Sequence, residues 1–590
     1  MVLRNQIATE SPSLMRKLRF WNRSGFDYNE NEIRRDVIRL ERFYQRRGFY
    51  HTNISYDVEE GRREWRRNVT FNIEEGEPAR ISDTEYTYEG GSSQEETLKE
   101  SSVYTRALRR HSLQPGQRYQ LINHSDVESR LMDVLNNIGY PFPRVNVMAT
   151  VDENQYNADV RIHIDPGPLG YIDEILVEGN ETLDEEKIKR HSNLKVGDQF
   201  SQTDLRRAQQ HVYGHHLFRF ATVGVPEQER DSTVTTRIRV REYPLRSLQT
   251  QIGVSFEEIV RTSVGWQHRN PWGTGHNFNS TIKASFIEQS VNLDYKFPYI
   301  FNPHSSISIT PFAQRITESN YQLLRGGITN SFLYQHTRDF TSTISYEFTR
   351  NREDLVDSPD FFDRPSEVEY NISAVQLSSY YGRSMPDWGE GWIVRPFAEF
   401  SGFMSTGSLQ YQRLLLDVRR YINFPFDSQL AIRTDSGVLF SDEDEILPEN
   451  IRLYSGGTSS VRGWQRRMLG PKRPVFDEGE FLAFVPTGGD AMSTFNVEYR
   501  QQMDFLLNNL GMAAFLDGGQ VWSDPSDMDL SELKFGVGGG FRYSSPIGPV
   551  RIDVGYKINP SDEDLNMYQG EDFGSAWDRW GFHFSIGQAF

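Results

Sequence analysis

The chain ends on Trp580-Gly-Phe-His-Phe-Ser-Ile-Gly-Gln-Ala-Phe590, and this stretch constrains the fold more than any other. Successive side chains of a strand point to opposite faces. Trp580, Phe582, Phe584, Ile586 and Phe590 therefore share one face, while Gly581, His583, Ser585, Gly587 and Ala589 share the other. The first face suits hydrocarbon; the second is small and polar. A tilted strand needs about 9–11 residues to cross a bilayer, and this one is long enough. The alternation recurs from about residue 245 onward, from Leu245–Glu257 through stretches such as Tyr321–His336 and Ser428–Phe440 to the terminal one, sixteen in all. Backbone edges cannot be left unpaired in hydrocarbon, so an even number of such strands predicts a closed, antiparallel transmembrane β-barrel. A large soluble β-sandwich or propeller is the competing all-β reading, disfavoured by the aromatics gathered at strand ends.

Composition removes other classes. Aromatics make up 13% of the 590 residues, but hydrophobic residues only 37%. No window approaches the ~18 consecutive apolar residues of a spanning helix. The longest apolar run is Phe481-Leu-Ala-Phe-Val485. With no cysteine, neither a disulfide framework nor a thiolate metal site is available. A net charge of −18 argues against a nucleic-acid partner, which calls for a basic face. The opening Met1-Val-Leu-Arg-Asn-Gln-Ile7 has no apolar signal-peptide core, so an exported chain is expected in its mature form.

Residues 1 to about 244 alternate helical and strand patterns with a loose internal repeat. In the first copy Ile33, Val37, Leu40 and Tyr44 fall on one helical face, and Gly48 stands where a helix-ending glycine belongs. Strands are predicted at His51–Val58 and Asn68–Ile73. The second copy has a helix over Asp126–Gly139 with Val127, Leu131, Leu135 and Ile138 on one face, then strands Val145–Val151 and Ala158–Ile164. The third opens after Gly179-Asn180 with Thr182-Leu-Asp-Glu185 as a capping box. A helix at about Thr203–Tyr213 and strands Phe218–Val225 and Thr233–Val240 follow. The copies close at Pro78, Pro168 and Pro244. The reading is three α+β modules of β-α-α-β-β order at 1–78, 79–168 and 169–244, the first without a clear opening strand. An all-β barrel of 16 strands then spans 245–590. One α+β domain with accidental self-similarity is the alternative for the first half.

The longest gap between predicted barrel strands, about 441–492, holds Leu453-Tyr-Ser-Gly-Gly-Thr-Ser-Ser-Val-Arg-Gly-Trp464. A connection this long without structure of its own is usually functional. On the next strand Phe495, Val497 and Tyr499 take one face, which leaves Glu498 on the lumen side; on the one after, Phe515 and Asp517 share a face. A loop folded into the barrel brings Arg462 to both carboxylates. A guanidinium suits that place, because its rigid fork pairs bidentately and stays charged when desolvated. Gly456, Gly457 and Gly463 let such a segment descend and turn, with Trp464 against the inner wall. Spacing alone leaves two blander readings open: a solvated arginine at 462, and a hairpin turn at Asp517-Gly-Gly.

The combination resembles the outer-membrane protein assembly superfamily of BamA and TamA, whose barrels carry a Val-Arg-Gly-aromatic loop motif, here Val461-Arg-Gly-Trp464 after Gly456-Gly457. The family's Phe-x-Asp-x-Gly pattern is matched by Phe515, Asp517 and Gly519, and its acidic residue on the preceding strand by Glu498. Asn270-Pro-Trp-Gly-Thr-Gly275 is similar to its early hairpin. Gly536-Val-Gly-Gly-Gly-Phe-Arg542, Pro546-Ile-Gly548, Arg551-Ile-Asp553 and the terminal strand are similar to its late strands. The N-terminal modules look like POTRA (polypeptide-transport-associated) domains. Three before a barrel is most like TamA; BamA typically has five, and two-partner secretion transporters two plus a plug helix. The resemblance implies a non-enzymatic assembly or translocation factor of the bacterial outer membrane, with its POTRA arm in the periplasm. It implies unfolded outer-membrane client proteins that pair with POTRA edges and with a weak seam between the first and last barrel strands. The lipid bilayer is a second partner, and a periplasmic or inner-membrane accessory protein at the POTRA arm a third; no cofactor, metal or nucleic acid is implied. A two-partner-type polypeptide secretion pore and a plain porin or receptor are the rival readings.

Other signals carry less. Gly536-x-Gly-x-x-Phe541 is not followed by a helical pattern and reads as strand glycines facing a crowded lumen rather than a phosphate loop. His211, His215 and His216 are expected at the surface rather than as metal ligands. Asp442-Glu-Asp-Glu445 and Ser561-Asp-Glu-Asp564 are expected in solvated outer loops, with calcium binding as the lesser reading. No serine-histidine-acid or paired-carboxylate arrangement points to catalysis.

Overall fold

The computed structural model divides the chain into two units, Met1–Arg241 and Glu242–Phe590. It describes all residues except 1–2, 10–27, 61–66, 155, 227–230, 356–366, 384–388, 404–406, 443–446, 478–479, 505–506, 546–547 and 587–590.

In the first unit, the helix Glu30–Gln45 precedes an antiparallel hairpin, Asn53–Glu60 with Arg67–Glu74. Asn29 caps the helix by accepting from the N–H groups of Asn31 and Glu32. Leu40 and Tyr44 pack with Phe49 and Ile54. The same face carries Asp36, a buried charge that the apolar periodicity conceals; it accepts from the N–H groups of Ala8 and Thr9 at 2.8 and 2.9 Å. No opening strand is present among the described residues of this segment.

Next comes a three-stranded sheet in which Arg80–Tyr88 runs parallel to Asn157–Asp165, itself antiparallel to Arg144–Asp152. Three helices cover it, Gly91–Lys99, Ser102–Arg109 and Asn123–Asn137, one more than the β-α-α-β-β pattern expects. The extra helix is hard to read because Gly91–Lys99 buries only Leu98 and so shows little periodicity. Ser101 starts the following helix by accepting from the N–H of Tyr104.

A second sheet repeats the order, with Tyr171–Glu178 parallel to Thr233–Glu242 and Phe218–Gly224 on that strand's other side. Two helices, Glu185–Ser192 and Gln202–Tyr213, bury Ile188, Leu205, Ala208 and Val212 against it. The first is capped by Asp184, which accepts from the N–H of Glu186, and not by Thr182 of the expected capping box. An aspartate already satisfies the first free donors of the helix.

His215, expected at the surface, is buried in this layer. Its ring meets His191 at 5.1 Å, stacks on His216 at 4.8 Å and lies 5.2 Å from Phe218. Leu217 N–H donates to its Nδ1, which places the proton of the neutral ring on Nε2. Burial, reinforced by His216 and His191, drives the His215 pKa far below the usual imidazole range; burial lowers that of His191 as well. Below pH ~6.5 the unfolded chain then binds protons that the folded state refuses, so stability is held above that pH and lost as pH falls through it. In the full chain, amide exchange corrected for its intrinsic pH dependence is expected to show lower protection of Glu185–Ser192 and Gln202–Tyr213 at pH 5.5 than at 7.5. His215→Gln should shrink that difference.

The second unit is a closed barrel of sixteen strands, from Arg246–Ser255 to Trp580–Ile586, with chain neighbours paired antiparallel. Its outer face is apolar: Leu248 and Ile252 are both 67% exposed, and Leu414, Leu416, Trp580 and Phe582 project outward in the same alternation while His583 is buried. Such a belt, inverted relative to a soluble protein, is what hydrocarbon demands. Phe590 of the expected closing strand lies outside the described residues, as do most of Asp442–Glu445 and the pair Pro546-Ile547.

Two expectations about loops need correction. The long connection has structure of its own, a hairpin of Lys472–Asp477 with Glu480–Pro486 that stands apart from the barrel sheet. Pro474 hides it, since proline argues against a strand except at an edge, and both strands of a two-stranded ribbon are edges. Phe481 stacks on Tyr568, ring centroids 4.9 Å apart. Asp564, expected in solvent, is buried and accepts from Lys472 Nζ at 2.6 Å.

Among the described residues, the barrel closes unevenly. The first strand pairs with the second along its whole length, from Arg246 opposite His268 to Ser255 opposite Ile259. Against the last strand, the described residues pair only as Ser255 with Ser585 and Val254 with Ile586.

Candidate functional site

The site is the inward segment of the long connection. Its two legs pair loosely, Leu469 N–H on Ser455 O and Gly457 N–H on Trp464 O, both at 3.1 Å. The preceding stretch is fixed to the wall strands between residues 305 and 382: Glu353 accepts from the N–H groups of Glu449 and Asn450 at 2.9 and 3.1 Å. Arg467 donates to the hydroxyl of Tyr321 at 2.9 Å. Val461, Trp464 and Leu469 form a small buried cluster at the turn.

Arg462 is 3% exposed. Its Nε and Nη2 donate to Asp517 Oδ2 and Oδ1 at 2.7 and 2.9 Å, a bidentate pair. Its backbone N–H adds a third bond to Asp517 Oδ2 at 3.1 Å. Nη1 donates to Glu498, and the guanidinium carbon lies 3.5 Å over the Phe515 ring. Glu498 and Asp517 lie on neighbouring strands, Ala491–Gln502 and Leu510–Trp522. Asp517-Gly-Gly therefore sits inside a strand, not at a hairpin turn. Leu516, between Phe515 and Asp517, is exposed on the outer face.

The backbone at Arg462–Gly463 lies against the wall. Gly463 has φ +127°, a region that disfavours any side chain. Opposite it, a Cβ on Gly555 would stand 2.7 Å from Arg462 O, and one on Gly581 would stand 2.7 Å from Gly463 Cα. Gly536 meets Arg462 O at 2.3 Å in the same way. The glycines of the late strands thus form a track for the loop backbone. Gly519 leaves room for Val461 and Thr494. Gly456 and Gly457 also adopt positive φ.

Sequence reasoning missed the outer members of the charge network. Asp553 lies 3.9 Å from Arg462 Nη1 and pairs with Arg542 at 2.5 Å and Arg551 at 3.1 Å. Arg500 donates to Glu498 at 2.8 Å. Asn496 donates to Asp517 at 2.9 Å and to Ser460 O at 2.6 Å. Four arginines (462, 500, 542, 551) thus face three carboxylates (498, 517, 553), a balance of 4 − 3 = +1. The available signal was Arg551-Ile-Asp553, charges two apart on one face of a strand. The arrangement fixes a loop; its carboxylates are occupied by guanidinium groups and are not free for acid–base work.

A closed sixteen-stranded barrel holding an arginine-anchored loop in its lumen, preceded by small sheets that each hold one parallel strand pair, defines a transmembrane barrel of the POTRA-bearing class. The Omp85 superfamily domain matches residues 270–590, more than half of the chain, and the chain belongs to that superfamily. The POTRA family, described as a surface antigen variable number repeat, matches residues 8–76 and 170–243. The outer membrane protein assembly factor BamA of Nitratidesulfovibrio vulgaris is 24% identical over 474 residues, covering 78% of this chain and 56% of that protein. The BamA of Neisseria meningitidis serogroup B is 21% identical over 599 residues, covering 92% of this chain and 73% of its own length. In fold, the crystal structure of Haemophilus ducreyi BamA lacking POTRA domains 1–3 matches with a TM-score of 0.70 at 17% identity, covering 87% of this chain and all of that one.

Proposed function

We propose that this protein is an outer-membrane protein assembly factor that inserts or exports β-rich client polypeptides. In this reading residues 1–78, 79–168 and 169–244 are periplasmic capture modules, and 245–590 is a barrel whose first and last strands part to template client strands. The observation that carries it is the uneven closure: a full-length first hairpin beside a seam that, among the described residues, rests on Ser255–Ser585 and Val254–Ile586. A strand edge that parts from its neighbour exposes N–H and C=O groups and becomes a template for an incoming strand. The driving force is client folding and burial of lipid-facing surface, without nucleotide. The loop supports this over a plain porin, because Arg462 and its partners occupy lumen space that a conducting pore leaves to water. The names of the relatives, BamA in both cases, agree with the reading; the nearer likeness to TamA rests on the module count alone. An accessory protein at the module edges completes the proposal.

Depletion of the protein in its host, followed by proteomics of the outer membrane, is expected to lower a set of β-barrel proteins before inner-membrane proteins change. An unchanged outer-membrane complement after depletion counts against the proposal.

A further inference from the structure

Glu257 lies in the turn between the first two barrel strands, Arg246–Ser255 and Ile259–Arg269. It accepts two hydrogen bonds from the tip of the lumen loop, from Thr458 N–H at 2.8 Å and Thr458 Oγ1 at 2.6 Å. The fit is close: a Cβ on Gly457 would lie 2.9 Å from Glu257 Oε1. Thr458 Oγ1 also lies 3.2 Å from Nδ1 of His583, on the last strand. A hydroxyl has one proton, and here the carboxylate takes it. Thr458 therefore accepts from His583 Nδ1–H. One loop side chain holds both sides of the seam.

The loop is not neutral between those sides. Arg462 fastens it to Glu498 and Asp517, with Asp553 beside them, and its backbone rests on the glycine track of the late strands. If the first hairpin swings away from the last strand, the loop stays with the late strands and Glu257 leaves. Apart from Thr458, the strands meet, among the described residues, through Ser255–Ser585, Val254–Ile586, the Phe256 N–H on Phe584 O at 3.1 Å and an edge-to-face contact of the Phe256 and Phe584 rings at 6.0 Å. Arg466, 3.9 Å from Glu257, has its guanidinium committed to Glu318 at 2.8 Å.

We propose that Thr458 is a positioning residue for assembly: its bonds to Glu257 and His583 latch the first hairpin to the last strand, and their loss opens the seam. The inference rests on the assembly reading for its purpose, but the latch itself is measured without any client.

The chain has no native cysteine, so spin labels can be placed at Leu248→Cys and Phe582→Cys, outward positions on the first and last strands. Distances are read by pulsed electron resonance on the full chain in bilayers. The parent is expected to give one narrow distance distribution, that of the closed seam. Thr458→Val removes the hydroxyl's bonds to Glu257 and His583, Glu257→Ala removes both bonds that Thr458 donates to the carboxylate, and each is expected to raise the open-to-closed ratio at least about tenfold. Thr458→Ser keeps the hydroxyl and is expected to match the parent. Identical distributions in all four proteins, or Thr458→Ser behaving like Thr458→Val, would overturn the latch. A seam opened by Thr458→Val with unchanged client insertion would uphold the latch and remove seam opening from the assembly reading.

Discussion

Arg462→Ala is expected to free the lumen loop while leaving the barrel folded, and to abolish most assembly activity. The substitution strips Asp517 of its bidentate partner and Glu498 of one of its two arginine donors, while both carboxylates stay buried. An uncompensated buried charge of this kind costs ~3–5 kcal/mol. That cost falls on the docked state of the loop, since the barrel ladder of Ala491–Gln502 with Leu510–Trp522 does not depend on it. Arg462→Lys should rescue little, because an ammonium cannot span both Asp517 oxygens and lie flat on Phe515. Asp517→Asn raises the local balance from +1 to +2 and should resemble the arginine variant. The double variant should be less damaging than the sum, because both single changes remove one interaction. Amide exchange across 453–469 measures the undocking; strictly additive defects, or a loop equally protected in Arg462→Ala, would show that the pair does not hold the loop.

A disulfide between Ser255→Cys and Ser585→Cys should stop assembly completely under oxidising conditions and release it on reduction. These residues stand opposite each other, and Phe256 N–H bonds Phe584 O one step along. Hydrogen-bonded and non-bonded pairs alternate in an antiparallel ladder, so Ser255–Ser585 is a non-bonded pair with its side chains closest. The seam has little else to hold it among the described residues, so one covalent bond changes its opening from accessible to forbidden. Full activity of the oxidised protein would eliminate lateral opening from the mechanism.

The barrel was legible because lipid enforces one rule on every strand: alternate faces, one apolar. The placement of Arg462 beside Glu498 and Asp517 was legible for a related reason, as strand parity puts both carboxylates in the lumen and the long connection carries an arginine that can fold in to meet them. Parity says nothing of which loop atom meets which wall residue. Glu257 and Thr458 are 201 positions apart, and neither motif nor spacing links them. Pro474 concealed a hairpin because the rule against proline in strands weakens at edges. His215 looked exposed because three nearby histidines suggest a polar surface, yet the neutral imidazole packs as an aromatic when a ring such as Phe218 is at hand. The extra helix Gly91–Lys99 buries too little to leave a pattern.

The central claim is that this chain assembles β-barrel clients through its own seam. Reconstitution tests it most directly: the purified full chain in liposomes is given a urea-unfolded outer-membrane β-barrel client, and folded, heat-resistant client is followed over time. The account predicts folding well above that in empty liposomes, with the oxidised Ser255→Cys/Ser585→Cys protein reduced to the empty-liposome rate and restored by reductant. Equal client folding in empty, parent and locked liposomes would contradict it.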